Sequence, residues 1–595
     1  MFHVGTIGDM AAHRRNEAMI TSRHLLLNGA ILIRKHIVGD KRIHVLCDSE
    51  KEINCSRTVA ARLGMWVLAI IVLCNFLPKG QGLEFFVSIS EGSDSWDGTS
   101  ETNVDGTNVG PWKTLNHAVE EIRKIRPNPP MPTDSVTISV LPGKYFMQSG
   151  IDMDGRDSYM TIRALYDDET AISGGLVLNG EWTEEGGGIR TTIFQGSCGE
   201  AFVGAYRLLP ARKPNSAHIG YNTNIAFPPY NTIKDLFVET DTCTRDSTEF
   251  RQSCPDEDRL GFVFENELDS QWAHLDQTRI LIFHSWIAEF AIVSNITDEN
   301  GVSKVYFKEP LSSEPIGNWV KSGDWRYIIY NNKAVLDIPG EYVCISNGDD
   351  SSTISYIPPD EPGLEELPVV VTQLPIIMQM REITDIYLEG IKFEHSSSNG
   401  MDGYNWGTET ALKVISSKNV VVSDCKFSSM GMVGMYVRDS HNIQVTKSVF
   451  TDIGYHGFLA QYVESDPEGG MFDVSVDNNM FDGCGLNNFW QPACIWLGGD
   501  NNMTIRNNEF TNVPYTPINI HGLMNHGPDY WEDNGVIEPT RDDYVFHIEF
   551  NHFYEYGLGI MNDFGAVYTG KDSIFLYFAC KENSRIFSFK TPVMA

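Results

Sequence analysis

Between about Asp385 and Gly570 the chain repeats one short alternation of apolar and polar positions six times, in register with Phe393, Phe427, Phe450, Phe481, Phe510 and Phe553. Seven residues before each phenylalanine stand Ile386, Val420, Ile443, Val474, Met503 and Phe546, and five before stand Leu388, Val422, Val445, Val476, Ile505 and Ile548. All twelve are apolar. Two residues before the phenylalanine the series reads Ile391, Cys425, Ser448, Asn479, Asn508 and Asn551, and four after it come Gly431, Gly454, Gly485, Pro514 and Gly557. Each unit therefore predicts a strand, a bend, a short apolar stub and a turn. A second strand follows in several units, as in Gly434-Met435-Tyr436-Val437 and Cys494-Ile495-Trp496-Leu497.

A unit of 23 to 43 residues cannot bury its own inner face, but stacked on like neighbours it builds a continuous core. The strands are too short for propeller blades and no helical period separates them, so the pattern predicts an all-β solenoid, a parallel β-helix over 371–570. An antiparallel sandwich with coincidental repeats is the competing reading. Asn479, Asn508 and Asn551 at one inward bend predict a ladder of side-chain amides bonded to backbone groups that the bend leaves unpaired.

Upstream, Leu115, Ala118, Val119 and Ile122 share a helical face with Thr114 as N-cap, which predicts a helix covering the open end of the solenoid. The strand Val136-Thr137-Ile138-Ser139-Val140 and the turn Pro142-Gly143-Lys144-Tyr145 then begin the first coils, so 83–215 reads as cap and first coils. Residues 216–370 interrupt them with a stretch rich in Trp, Tyr and Phe, read as an inserted β-rich subdomain stapled by a Cys243 to Cys254 disulfide. Asn295 and Asn502 head glycosylation sequons.

Composition narrows the function. A formal charge of −34 over 595 residues disfavours nucleic acid binding through phosphates. Eleven cysteines without CxxC pairs give no zinc signature, and no metal site is assigned, although the acidity leaves Ca²⁺ open. Residues 1–64 are basic and read as an extension, and the apolar run 65–77 has the length of a signal-peptide core rather than of a membrane span of roughly 20 residues. The expectation is secretion, with 65–82 as signal peptide, or a type II membrane anchor if the segment is uncleaved. After Gly570 the residues 571–595 lose the phenylalanine-centred pattern and read as an atypical, truncated tail.

Carrying the strand alternation through each coil places Tyr436, Leu459, Trp496, Asn519 and Val567 on one outer row. Arg438, Gln461, Gly498, His521 and Thr569 form the next row, and Met432, Tyr455, Pro492, Tyr515 and Asp563 a third. Aromatic faces, amides, an imidazole and a carboxylate suit a glycan groove, with Tyr436, Arg438, Trp496, Asn519 and Tyr568 as substrate contacts. Solvated strand residues of no special function are the plainer reading. In Asn562-Asp563-Phe564-Gly565 a small residue leaves room above the Asp563 carboxylate; a structural aspartate bonding a turn is its alternative.

The order Phe86-Val87-Ser88, acidic Gly-rich loop, Trp112-Lys113-Thr114-Leu115, helix, Leu141-Pro142-Gly143-Lys144-Tyr145 resembles the opening of pectate-lyase-like, carbohydrate-active β-helix proteins. Leu209-Pro210-Ala211-Arg212-Lys213-Pro214-Asn215, Pro339-Gly340-Glu341-Tyr342 and Asn562-Asp563-Phe564-Gly565-Ala566-Val567-Tyr568-Thr569 resemble glycoside hydrolase family 141 and its relatives. The resemblance spans 85–570. It implies a right-handed helix, a polysaccharide or oligosaccharide substrate, and Asp563 as a catalytic carboxylate, with His521 counted beside it. Hydrolysis needs two carboxyl groups roughly 5 Å apart for retention or 6.5 to 9.5 Å for inversion, and coils repeat about every 4.8 Å, so the partner belongs one or two coils from Asp563. Asp529, Glu532, Asp533, Glu538, Asp542 and Asp543 are too many to choose among. A lyase would need a basic cluster, where the rows show only Arg438; an inactive glycan-binding protein on the same scaffold is the reading from another class.

Overall fold

The computed structural model describes residues 82–166, 169–215, 231–233, 259–265, 268–283, 288–299, 302–311, 326–364, 366–398, 409–461, 472–487, 491–498, 503–521, 545–558, 565–569 and 575–579. Three parallel sheets of ten, eight and eight strands form the walls of a β-helix. In the first wall Ile386 pairs with Val420, Val420 with Ile443, Val474 with Met503 and Met503 with Phe546. All of these residues are buried, as are their partners five residues before each phenylalanine. The apolar stub is itself a strand, as in Lys426–Met430, Val449–Ile453 and Met480–Cys484, and makes the second wall. The phenylalanines stack through it with ring centroids 4.7 to 5.2 Å apart and planes within 5° to 10°. The second strand of each unit supplies the third wall, including Val433–Arg438, Phe458–Gln461, Ala493–Gly498, Thr516–His521 and Val567–Thr569.

The asparagine ladder forms at the bend between the first two walls. The residue just before each ladder position is left-handed: Asp424, Lys447, Asn478, Asn507 and Phe550 have φ of 53°, 50°, 58°, 54° and 55°. That kink turns one backbone N–H away from the sheets, and the next coil's amide takes it. Asn508 Oδ1 accepts from the Asn479 backbone N at 2.9 Å and from Asn479 Nδ2 at 3.0 Å. Its own Nδ2 donates to the Val476 carbonyl at 2.9 Å and to Asn551 Oδ1 at 3.0 Å. Asn508→Asp replaces both donated bonds by a buried carboxylate facing two acceptors. It is expected to cost about 3 kcal/mol, measured as a shift of the urea midpoint; a loss within error would remove the ladder from the stability of the solenoid.

Of the glycines four residues after the phenylalanines, Gly485 and Gly557 are left-handed, with φ of 88° and 63°, whereas Gly431 and Gly454 are not and are explained by close approach. A Cβ at Gly431 would lie 2.7 Å from the Ser396 carbonyl and the Ser398 nitrogen.

The helix Leu115–Ile125 begins at Thr114, whose side chain accepts from His117 N, and buries Leu115, Ala118, Val119 and Ile122. It packs on Leu83–Val87 and Ile151–Met153, the first strands of the first and third walls. Gly143–Phe146 is a strand of the second wall rather than a turn.

Antiparallel pairing starts at Gly175–Val177 and runs to Val369–Thr372, so the insertion opens upstream of residue 216. Its first hairpins alternate like solenoid strands, which is why composition alone placed the boundary at the aromatic-rich stretch. A disulfide joins Cys198 and Cys344 across 146 residues, with Cα atoms 5.6 Å apart. Cys243 and Cys254 lie outside the described residues, as do Asn502 and the run 65–77. Asn295 is exposed, at a register shift in the strand Ala288–Glu299. Among the described residues no helix is long and apolar enough to cross a membrane.

Among the described residues several contacts seat the insertion on the solenoid. Tyr515 of the third-wall corner packs among Leu281, Phe283, Ile328 and Tyr330. At the second wall, Arg207 Nε meets Asp452 Oδ1 at 2.6 Å, and its guanidinium donates to the Met430 carbonyl at 2.7 Å. The ring of Phe202 lies 4.8 Å from the Arg207 guanidinium carbon and 4.9 Å from the His395 ring. Burial holds His395 far below the usual imidazole range, at about 3, with the cations Lys144 and Arg207 adding to the effect, so this ring is neutral and its Nδ1 shares a hydrogen bond with the Ser173 hydroxyl at 2.9 Å.

The segment after Gly570 returns to the first wall. Phe575–Ala579 pairs in parallel with Val545–Glu549, Leu576 opposite Phe546 and Phe578 opposite Ile548. The repeat was invisible there because Asn583 stands where the pattern has phenylalanine.

Candidate functional site

The outer face of the third wall is organised by register. Lys413 pairs with Tyr436, Tyr436 with Leu459, Leu459 with Trp496, Trp496 with Asn519 and Asn519 with Tyr568. Tyr568, not Val567, therefore completes the row; Val567 pairs with Ile518 and packs on the core. Likewise Thr569 pairs with inward Ile520 rather than following His521. The alternation slips by one residue in the last coil, a slip that an unbroken period of two cannot register. The second row holds Ile415, Arg438, Gln461, Gly498 and the backbone of His521.

The first row is covered by packing, while Lys413, Arg438, Gln461 and Gly498 beside it stay half-buried. Tyr436 and Trp496 keep 5 % exposure and Asn519 none. Met432, Val433, Tyr436, Tyr455, Leu459, Ala493 and Trp496 form an apolar cluster of their own outside the wall. The physical reason is that large side chains on neighbouring strands overlap at the sheet spacing of about 4.8 Å, each removing its neighbour from water. Gly498 belongs to this packing, since a Cβ there would stand 2.5 Å from the Trp496 ring. Toward the end of the row exposure returns, and residues 565–568, including Tyr568, are half-buried.

Polar groups on the face are mostly bonded. The Tyr436 hydroxyl donates to Gln461 Oε1 at 3.2 Å, and burial raises its pKa, keeping it a neutral phenol. Lys413 Nζ sits 5.7 Å from the Tyr436 ring centre; burial, followed by repulsion from Arg438, lowers its pKa. Arg438 pairs with Asp439 at 3.2 Å. Lys413 is a second cation on this face that a row started at Tyr436 does not include. His456 Nδ1 accepts from the Ala493 backbone N at 3.1 Å, and its ring lies 3.7 Å from that of Tyr455. In the strand Thr516–His521, by contrast, neither atom of the Asn519 amide nor the Thr516 hydroxyl has a hydrogen-bond partner.

Asp563 and the side chain of His521 lie outside the described residues, as do Asp529, Glu532, Asp533, Glu538, Asp542 and Asp543. Two buried carboxylates that the outer rows did not single out flank the upstream end of the wall. Glu200 accepts from the Thr372 hydroxyl at 2.8 Å and from the Ser398 hydroxyl at 2.5 Å, and Glu409 immediately precedes the strand Thr410–Ile415. Glu200 comes from the insertion, 172 residues before Thr372, so no local spacing could reveal it. Among the described residues no group of three His, Cys, Asp or Glu side chains could hold a metal ion.

The fold and this wall define a right-handed parallel β-helix protein: residues 372–491 match the profile of the right handed beta helix region family. Among solved structures, a protein described as a glycoside hydrolase superposes with a TM-score of 0.61 at 16 % identity, over 83 % of this chain and 87 % of its own. The complex of XylC with xylose aligns at a TM-score of 0.37 and 14 % identity, over 74 % of this chain and 60 % of its own. The first likeness establishes shared architecture; the second is too distant to carry argument. Comparison with curated protein sequences gives no match.

Proposed function

We propose that the protein is a secreted glycoside hydrolase acting on a plant, algal or matrix polysaccharide along the outer face of the third wall. The observation that carries this reading is the row Tyr436, Leu459, Trp496, Asn519 and Tyr568, apolar and aromatic apart from one amide, whose last member is half-buried and follows Asp563 closely in the sequence. Aromatic faces pack against the C–H faces of sugar rings while a few placed amides and hydroxyls fix their orientation. The fold shared with a protein described as a glycoside hydrolase supports the same reading.

Asp563 serves in it as acid, base or nucleophile, and His521 assists. The second carboxylate belongs to a neighbouring coil.

The test is release of reducing ends from a panel of polysaccharides. Asp563→Asn with an unchanged unfolding transition is expected to lower the rate at least about 100-fold. An unchanged rate would remove Asp563 from the mechanism, and products carrying an ultraviolet-absorbing unsaturated sugar would replace hydrolysis by elimination.

A further inference from the structure

The coil of Phe481 differs from its two predecessors where it turns from the second wall to the third. Register down the second wall aligns Met430 with Ile453 and Ile453 with Cys484. On the third wall Met435 pairs with Phe458 and Phe458 with Ile495, and one residue before them stand Gly434, Gly457 and Cys494. Two coils thus close this corner with a bulky side chain on one wall and a glycine on the next, and the third sets a cysteine on each. The glycine is a matter of room: a Cβ on Gly457 would stand 2.8 Å from both the Phe481 ring and the Cys494 carbonyl. Cys484 and Cys494 are fully buried in the solenoid core, and their thiols are hydrogen-bonded to each other.

Both sulfurs are held by structure on either side. Cys484 ends the strand Met480–Cys484, Cys494 is the second residue of Ala493–Gly498, and both strands are paired with the coil before. Just after Cys484 the corner is bonded to that coil as well: Gly485 N and Leu486 N donate to the Ile453 carbonyl at 3.0 and 3.2 Å, and Asn487 N to the Gly454 carbonyl at 2.8 Å. Closing the coil therefore brings the two thiols together. Cys425 is the contrast, a buried thiol at the bend between the first two walls whose surroundings are the backbone of Gly390 and Ile391 and the carboxylates of Asp424 and Glu389. The Cys198 to Cys344 bridge implies that the chain folds where thiols are oxidised.

We propose that Cys484 and Cys494 become a second disulfide, inside the solenoid, formed while this coil is still open and sealed once the neighbouring coils have closed over it. The reaction is exchange with a small disulfide such as oxidised glutathione. Both S–H bonds break and one S–S bond forms, while the two electrons reduce the incoming disulfide to two thiols, which take up the protons. The timing follows from burial. In the closed solenoid neither sulfur meets solvent, and burial, followed by the bond to Cys484, pushes the Cys494 thiol well above its ordinary range, so the thiolate that exchange requires is scarce there. The bridge would clamp the second wall to the third immediately before the strand that carries Trp496.

The test uses the full wild-type chain, reduced and unfolded, then refolded in a mixture of reduced and oxidised glutathione until Cys198 and Cys344 are linked. The product is unfolded in guanidinium with N-ethylmaleimide and digested without reduction by chymotrypsin, which cuts at Phe489 and Trp490 between the two cysteines. Mass spectrometry is expected to find the peptides of Cys484 and Cys494 joined, and Cys425 carrying the maleimide. The proposal is overturned if Cys484 and Cys494 both carry maleimide in protein whose Cys198 to Cys344 bridge has formed, or if either is linked to a different cysteine.

A second measurement checks the sealing. A water-soluble phosphine is expected to reduce the Cys484 to Cys494 bridge in the folded protein at least about tenfold more slowly than in guanidinium, because access requires the coils to open. Equal rates would overturn the sealed position inside the solenoid.

Discussion

Arg207→Ala is expected to destabilise the protein by about 3–5 kcal/mol, because it leaves the Asp452 carboxylate buried without its counter-ion. The two side chains keep only 4 % and 7 % exposure, and their 2.6 Å contact is supplemented by guanidinium bonds to the carbonyls of Met430 and Asp452 at 2.7 and 2.9 Å. Arg207→Lys should recover little, since an ammonium cannot fork between a carboxylate and two carbonyls from one fixed plane. The double replacement Arg207→Met with Asp452→Asn should recover much more, as it removes both charges together. Denaturant unfolding gives the energies, and limited proteolysis between residues 175 and 372 reports whether the insertion comes loose first. A loss under about 1 kcal/mol would mean that this pair behaves like an exposed one.

Phe481→Ala should cost about 3–5 kcal/mol, the range for emptying an aromatic site in a packed core. Its ring is fully buried between Phe450 and Phe510, at 4.7 and 5.0 Å. The ladder makes a comparative prediction as well. Phe553 is only partly buried, with Phe510 at 5.0 Å, so Phe553→Ala should cost roughly half as much, in proportion to the apolar area it removes from contact. Equal losses at the two positions would show that stacking along the ladder is not what the phenylalanines contribute. Both are read from urea midpoints.

The solenoid was legible because its core is written locally. Each coil must place apolar residues at the same offsets from its phenylalanine, so twelve first-wall positions and the asparagine bend could be read from spacing alone. The apolar stub passed for a connection because two to five residues are too few to display a period, although each pairs as a strand in the second wall. The insertion was legible in kind but not in extent. Cys198 and Cys344 are neighbours only because two hairpins fold back on each other, so no spacing points to them, while Cys243 and Cys254 lie outside the described residues. Alternation identified Tyr436, Trp496 and Asn519 as outward-facing, but it could not tell that their row is covered, since burial there arises from contacts between coils. Nor could it see that Thr516 and Asn519 lack partners, a property of a whole neighbourhood rather than of any residue.

The long detour of the insertion also has a kinetic meaning. From Thr384 onward each coil pairs with one 23 to 43 residues away, a short search for a growing end. The coil at Met160–Ala164, however, must find Thr384–Glu389, and its contact between Ser158 and Thr384 closes a loop of 226 residues. Loop closure of that length slows pairing much more than it weakens the finished contact. The downstream coils can therefore nucleate and zip together on their own, whereas the segment 83–173 joins them only after the insertion has collapsed and drawn its two ends together at Gly175 and Thr372. Assembly would run from the late coils toward the early ones, opposite to the order in which the ribosome delivers them.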